Sequence, residues 1–193
     1  MRAIPTPLRD LYVLEPQVFG DARGFFFESF NARKFAELTG ATVGFVQDNH
    51  SRSQRGVLRG LHYQIKQAQG KLVRAVRGAV YDVAVDLRRP SPSFGQWFGV
   101  ELSEQNQRML WVPAGFAHGF MVLSESADFL YKATDYWAPE HERCIAWNDP
   151  TLAIDWPLAS LGDAPPSLSA KDQKGVAYRD AETYASMDVN GAA

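Results

Sequence analysis

Through the middle of the chain, short apolar stretches recur at intervals of roughly 8–12 residues, with Gly, Pro, Ser or Asn between them. They run over residues 71–77, 79–86, 97–102, 108–112, 118–123, 128–134 and 142–147. Such a rhythm leaves little room for helices and predicts a β-sandwich or barrel. An aromatic run over 25–30 and the alternation of Val43, Phe45 and Gln47 within 42–49 extend the strand pattern toward the N-terminus. The residues flanking Gly78 read as two strands across a tight turn. One helix interrupts the pattern. Asn31 can cap residues 32–39, Phe35 and Leu38 fall on one face, and Gly40 can stop it. After Trp156 the chain turns polar and proline-bearing (Pro157, Pro165, Pro166), which predicts an irregular C-terminal arm.

At 193 residues this is one domain, with no internal repeat and no Gly/Ser linker. A net charge of −2 and a pI near 6.1 argue against a nucleic-acid-binding surface but leave room for an anionic small ligand. The single cysteine, Cys144, excludes an intrachain disulfide and a cysteine-based metal cage, so a reducing cytoplasm is expected. No apolar run approaches the ~20 residues of a membrane helix. Residues 1–5 carry no apolar signal region.

Chemistry concentrates in two segments. In Gly56-Val57-Leu58-Arg59-Gly60-Leu61-His62-Tyr63-Gln64, a strand would put His62 and Gln64 on one face. In Pro113-Ala114-Gly115-Phe116-Ala117-His118-Gly119-Phe120, a turn delivers His118 to the start of a strand. The two segments resemble the halves of the cupin pattern, which implies a mainly β fold: a jelly-roll barrel with a pocket inside it. Metal-binding cupins use three His and a Glu. Here Gln64 replaces the second His and residues 65–70 lack an acid, so only His62 and His118 remain and no metal is expected. Strict alternation would point Arg59 and His62 to opposite faces; a bulge at Gly60 would re-aim one of them.

Longer strings add to this. Arg23-Gly24-Phe25-Phe26-Phe27-Glu28-Ser29-Phe30, Gln47-Asp48-Asn49-His50-Ser51, Arg59-Gly60-Leu61-His62-Tyr63-Gln64, Tyr131-Lys132 and Leu168-Ser169-Ala170-Lys171-Asp172 occur in order. With the segments above, they resemble the dTDP-4-dehydrorhamnose 3,5-epimerase family from about Arg23 to Asp172.

The resemblance implies an isomerase acting on a dTDP-4-keto sugar without metal or cofactor. It implies His62 as base, Asp172 as its carboxylate partner, Lys71 as stabiliser of the enolate and Tyr131 as acid. It implies Arg23, Glu28, Gln47, Asp48, Asn49, Arg59, His118, Glu142 and Lys171 as substrate-binding residues. By pattern alone Tyr131 is a strand aromatic and Asp172 a solvated acid in a polar arm. The resemblance also implies a homodimer that exchanges its N-terminal strands. The organisation expected is one domain over 1–193, with exchanged strands in 22–50, a jelly-roll core in 51–147, an arm in 148–180 and a flexible tail in 181–193. Three alternatives stay open: an epimerase of one centre only, a non-catalytic cupin-like sugar-binding module, and a metal-dependent cupin oxygenase. The joint presence of His62, Lys71 and Tyr131 speaks against the module, and the missing ligands against the oxygenase.

Overall fold

A computed structural model describes residues 1–189. Thirteen strands and one α-helix follow in chain order: β1 (Arg2–Pro5), β2 (Tyr12–Glu15), β3 (Phe19–Asp21), β4 (Gly24–Phe26), α1 (Ala32–Thr39), β5 (Gln47–Gln54), β6 (Leu58–Gln64), β7 (Lys71–Arg77), β8 (Ala79–Asp86), β9 (Trp97–Ser103), β10 (Met109–Val112), β11 (Phe116–Val122), β12 (Ser126–Ala133) and β13 (Glu142–Cys144). Two antiparallel sheets are stacked. One has the order β1-β2-β10-β7-β12-β5 and the other β13-β6-β11-β8-β9. This is the expected mainly β jelly-roll architecture.

The core between the sheets takes alternate residues from both: Val73, Leu110 and Phe129 from one, Ala84, Leu102 and Phe120 from the other. Each sheet's outer face is also covered. Helix α1 lays Phe35 on Leu14, Met109 and Trp111. The C-terminal segment lays Leu152, Trp156 and Tyr184 on Leu61, Tyr63, Val83 and Met121. Strands β8 and β11 are therefore buried on both faces and read as almost continuous apolar runs.

The helix matches its expected bounds: the Asn31 side chain accepts from the Lys34 amide, and Gly40 closes it in the left-handed conformation at φ 73°. Other boundaries shift. The aromatic run over 25–30 is a strand only to Phe26. The strand expected over 42–49 starts at Gln47, because Phe45 packs edge-on against Phe30, Phe35 and Trp111 beside the helix instead of joining a ladder. Gly78, at φ 69°, does not join a hairpin. It turns the chain from one sheet to the other, since β7 pairs with β10 and β12 whereas β8 pairs with β9 and β11.

The β3/β4 hairpin stands apart from both sheets and leaves Phe19, Phe25 and Phe26 exposed. In the segment expected as a flexible tail, Tyr184 is buried, its hydroxyl donates to the Gln64 carbonyl at 2.5 Å, and its backbone bridges to Arg88. The expectation of a free tail is thus corrected as far as Tyr184. The last of its residues, 190–193, lie outside the described residues.

Candidate active site

The open end of the barrel holds a cavity in two adjoining lobes of about 300 and 260 Å³, both lined by Asn49, His62, Lys71 and Tyr131. Gln47, Gln64, Trp137 and Glu142 line the first, and Arg59, His118 and Phe129 the second. Imidazole and phenol come from opposite walls: His62 sits on β6 of one sheet and Tyr131 on β12 of the other.

Strand β6 reaches this arrangement through a bulge, an alternative that the sequence leaves open. His62 lies opposite His118 and Arg59 opposite Phe120, so β6 has one residue more than β11 between these pairs. Gly60 occupies the bulge at φ 123°, and a Cβ there would stand 2.5 Å from the Gly119 Cα. The extra residue lets Arg59 and His62 line the same lobe.

His62 Nε2 lies 2.8 Å from Asp172 Oδ1. Asp172 is 3% exposed and sits at the start of a 3₁₀ turn, Asp172–Lys174, in the C-terminal arm. Burial raises its carboxyl, but bonds from His62, the Ser169 hydroxyl and the Gly60 amide outweigh this, holding it well below the usual carboxylate range. A second pair lies behind. His118 Nε2 is 2.9 and 3.0 Å from the two oxygens of Asp82, which is fully buried on β8. Here burial wins: the Asp82 carboxyl is pushed up despite the nearby charges of His118 and Lys71.

Lys71 makes no ion pair among the described residues, and its Nζ lies 5.9 Å from the centre of the Tyr131 ring. Burial lowers its ammonium to about 8, although Glu142 and Asp82 oppose the shift. Burial and then the Glu142 charge raise the Tyr131 phenol, so it stays protonated at neutral pH. Burial also pushes the Cys144 thiol, beside this site, up to about 11, which leaves it a poor nucleophile.

Polar bonds line the mouth. Glu142 pairs with Lys171 and accepts from the Trp137 indole at 3.3 Å. The Trp137 amide donates to Gln47 Oε1, and Gln47 donates to Asn49 Oδ1, each at 3.0 Å. Asn49 Nδ2 is buried with no partner among the described residues, an unusual state for a native donor. Arg59 Nε donates to Ser53. Gln64 uses its amide on backbone: Nε2 donates to the carbonyls of Gln67 and Tyr136, and Oε1 accepts from the Ala138 amide. It braces a loop at the place where a metal-binding cupin has a ligand.

The single chain thus brings together His62, Lys71, Tyr131, Asp172, Gln47, Asn49, Arg59, His118, Glu142 and Lys171. Three expected residues are elsewhere. Asp48 corrects the sequence reading: strand alternation puts it on the outer face, paired with Lys132 at 3.0 Å, because Asn49 takes the inner face. Arg23 pairs with Asp21 in the exposed hairpin. Glu28 pairs with Lys34 at 2.8 Å and with Asn31. Sequence reasoning missed Asp82, although one acid in the apolar run Ala79-Val80-Tyr81-Asp82-Val83-Ala84-Val85 is a readable signal.

Known proteins agree with this geometry. Residues 5–180 match the family model described as dTDP-4-dehydrorhamnose 3,5-epimerase. A dTDP-4-dehydrorhamnose 3,5-epimerase of Pseudomonas aeruginosa is 66% identical over 184 residues, 95% of this chain and 99% of that protein. The crystal structure of a dTDP-6-deoxy-D-glucose-3,5-epimerase from Legionella pneumophila, in complex with dTDP-4-keto-L-rhamnose, superposes with a TM-score of 0.91 at 53% identity, covering 96% of this chain and 98% of that one. A 3'-monoepimerase from Streptomyces bikiniensis, solved with dTDP-quinovose, gives 0.82 at 33% identity over 92% of this chain and 87% of its own. From motif to architecture to overall match, this chain belongs to the dTDP-4-dehydrorhamnose 3,5-epimerase family.

Proposed function

We propose that this chain converts dTDP-4-dehydro-6-deoxy-D-glucose to dTDP-4-dehydro-L-rhamnose by inverting C3 and C5, in dTDP-L-rhamnose biosynthesis. The observation that carries the reading is a histidine on an ionised carboxylate facing a protonated phenol across the cavity, with the half-buried Lys71 of β7, on the phenol's own sheet, lining the same cavity. Hydrogens at C3 and C5 lie α to the C4 ketone. His62 takes one of them, and the electron pair moves onto the C4 oxygen as an enolate. The Lys71 ammonium and the donor of His118 stabilise that oxygen. Tyr131 then returns a proton to the opposite face of the same carbon, and exchange with solvent resets both groups. Asp172 orients the ring and stabilises the imidazolium. No step requires a metal, and Gln64, tied to backbone, offers none of the missing ligation.

Arg59, with its bidentate guanidinium, suits the diphosphate. Gln47, Asn49, Glu142 and Lys171 serve the sugar and nucleotide. Arg23 and Glu28 join the site from a second copy. The chain is then a homodimer that exchanges strands within 22–50, around a core over 51–147 that the arm over 148–180 closes. Support comes from the detached aromatic hairpin, with Phe25 and Phe26 64% and 71% exposed, and from the unpaired Asn49 amide. A reducing cytoplasm suits a chain with one thiol.

Turnover in heavy water tests the reading. The product should carry solvent deuterium at both C3 and C5, scored carbon by carbon by NMR and mass spectrometry. Tyr131→Phe should lose inversion more severely than exchange. The likeness to a 3'-monoepimerase favours a second reading, inversion at one centre; wild-type label at a single carbon would establish it.

A further inference from the structure

The Asp172 carboxylate has two oxygens with different duties. Oδ1 faces His62 at 2.8 Å and accepts from the Gly60 amide at 3.1 Å. Oδ2 belongs to Ser169, accepting its hydroxyl at 2.6 Å and its amide at 3.3 Å. In return the Ser169 hydroxyl accepts from the Asp172 amide at 3.2 Å. Ser169-Ala170-Lys171-Asp172 is thus a capping box, whose ordinary task is to satisfy the first amides of a helical turn. The helical turn that follows is only three residues long, Asp172–Lys174, with Lys171 at its N-cap and no side-chain cap bond, so there is little helix to cap. The hydroxyl proton points instead at a carboxylate that the half-buried His62 imidazole also faces.

From this arrangement we infer that Ser169 is a positioning residue of the epimerase. It fixes the carboxylate rotation that aims Oδ1 at His62, and it helps to keep Asp172 ionised. The arm that carries Asp172 is otherwise irregular chain, without a strand to set the rotamer. The Gly60 amide, freed from the ladder by the bulge, fixes the other oxygen. The inference rests on the reading of His62 as base.

The test compares Ser169→Ala and Ser169→Thr with wild type. Ser169 is solvent-exposed as a residue, so threonine's extra methyl has room while its hydroxyl is retained. For alanine, kcat should fall roughly 10- to 100-fold with KM within about twofold, because the error is one of orientation at the reacting centre. Threonine should restore most of kcat. Carboxyl ¹³C NMR should show Asp172 titrating at higher pH in the alanine variant than in wild type. An unchanged kcat would overturn the inference. So would an unmoved Asp172 titration, or a fall in kcat that follows lost thermal stability and that threonine does not repair. The titration needs no turnover and reads the clamp separately from the chemistry above it. Full activity in His62→Asn would instead remove the base reading itself.

Discussion

On one side of the cavity Asp172 reaches His62 from the C-terminal arm; on the other Asp82 reaches His118 from the strand beside it. Both carboxylates are buried, at 3% and 0% exposure. They nevertheless shift in opposite directions. Asp172 collects donors from Gly60 and both donor groups of Ser169 beside the His62 ring at 2.8 Å, whereas Asp82 has the one ring nitrogen of His118. Burial raises a carboxyl and donors lower it, so the number of donors decides the sign. In the proposed mechanism one pair receives the proton from substrate. The other is a buried brace that orients a donor ring behind it.

The largest break in the comparison comes from removing one ring at a time. His62→Asn should reduce turnover by roughly 10²–10⁴-fold with dTDP binding nearly intact, measured by product assay and calorimetry on one preparation. His118→Asn should cost less, because it removes a donor and not the base. Equal losses would mean the two pairs share the proton transfer.

A smaller effect tests the cation between them. Burial holds the Lys71 ammonium at about 8, so its charge and the rate should fall together as pH rises through that value. In a pH profile of kcat/KM, Lys71→Arg should move the alkaline limb upward, since a guanidinium stays charged past pH 12. A limb that stays near 8 would assign it to another group.

The smallest effect sharpens the contrast through stability. Asp172, with its carboxyl lowered on folding, stabilises the fold above the ordinary carboxylate value, and this is lost as pH falls toward its folded value. Asp82, with its carboxyl raised, contributes stability at low pH that is lost as pH rises through the ordinary value of ~3.9 toward its folded value. In denaturant titrations from pH 7 down to 3, the deficit of Asp172→Asn relative to wild type should therefore shrink. That of Asp82→Asn should grow. Parallel slopes would mean the two carboxylates do not differ in sign.

Much of this was legible in the chain. The strand rhythm gives the architecture because the central strands β8 and β11 are covered on both faces, which makes them almost continuous apolar runs between turn residues. The helix is legible because its caps are local: Asn31 and Gly40 act within their own turn. The inward set His62, Lys71, His118 and Tyr131 is legible by resemblance, and the glycine in β6 marks the bulge. Asp48 misleads because a motif names its residues without their faces, and the pleat separates it from Asn49 by half a period. Phe45 misleads because it packs beside the helix, whereas its apolar neighbour in the alternation, Val43, is exposed. Asp82 escapes because a buried acid in an apolar strand has meaning only once its partner, thirty-six positions away, is beside it.

The extra residue in β6 has a consequence for how this strand can change. It acts as a phase defect in a two-step wave: residues before Gly60 keep one parity, and residues after it the other. Leu58 and Leu61 sit on one side, Arg59 and His62 on the other, a grouping no uninterrupted strand allows. Deleting one residue here would turn the Arg59 half of the strand inside out while leaving the His62 half in register, or the reverse. Insertions between strands merely lengthen a loop. At this position the count of residues is itself part of the active site.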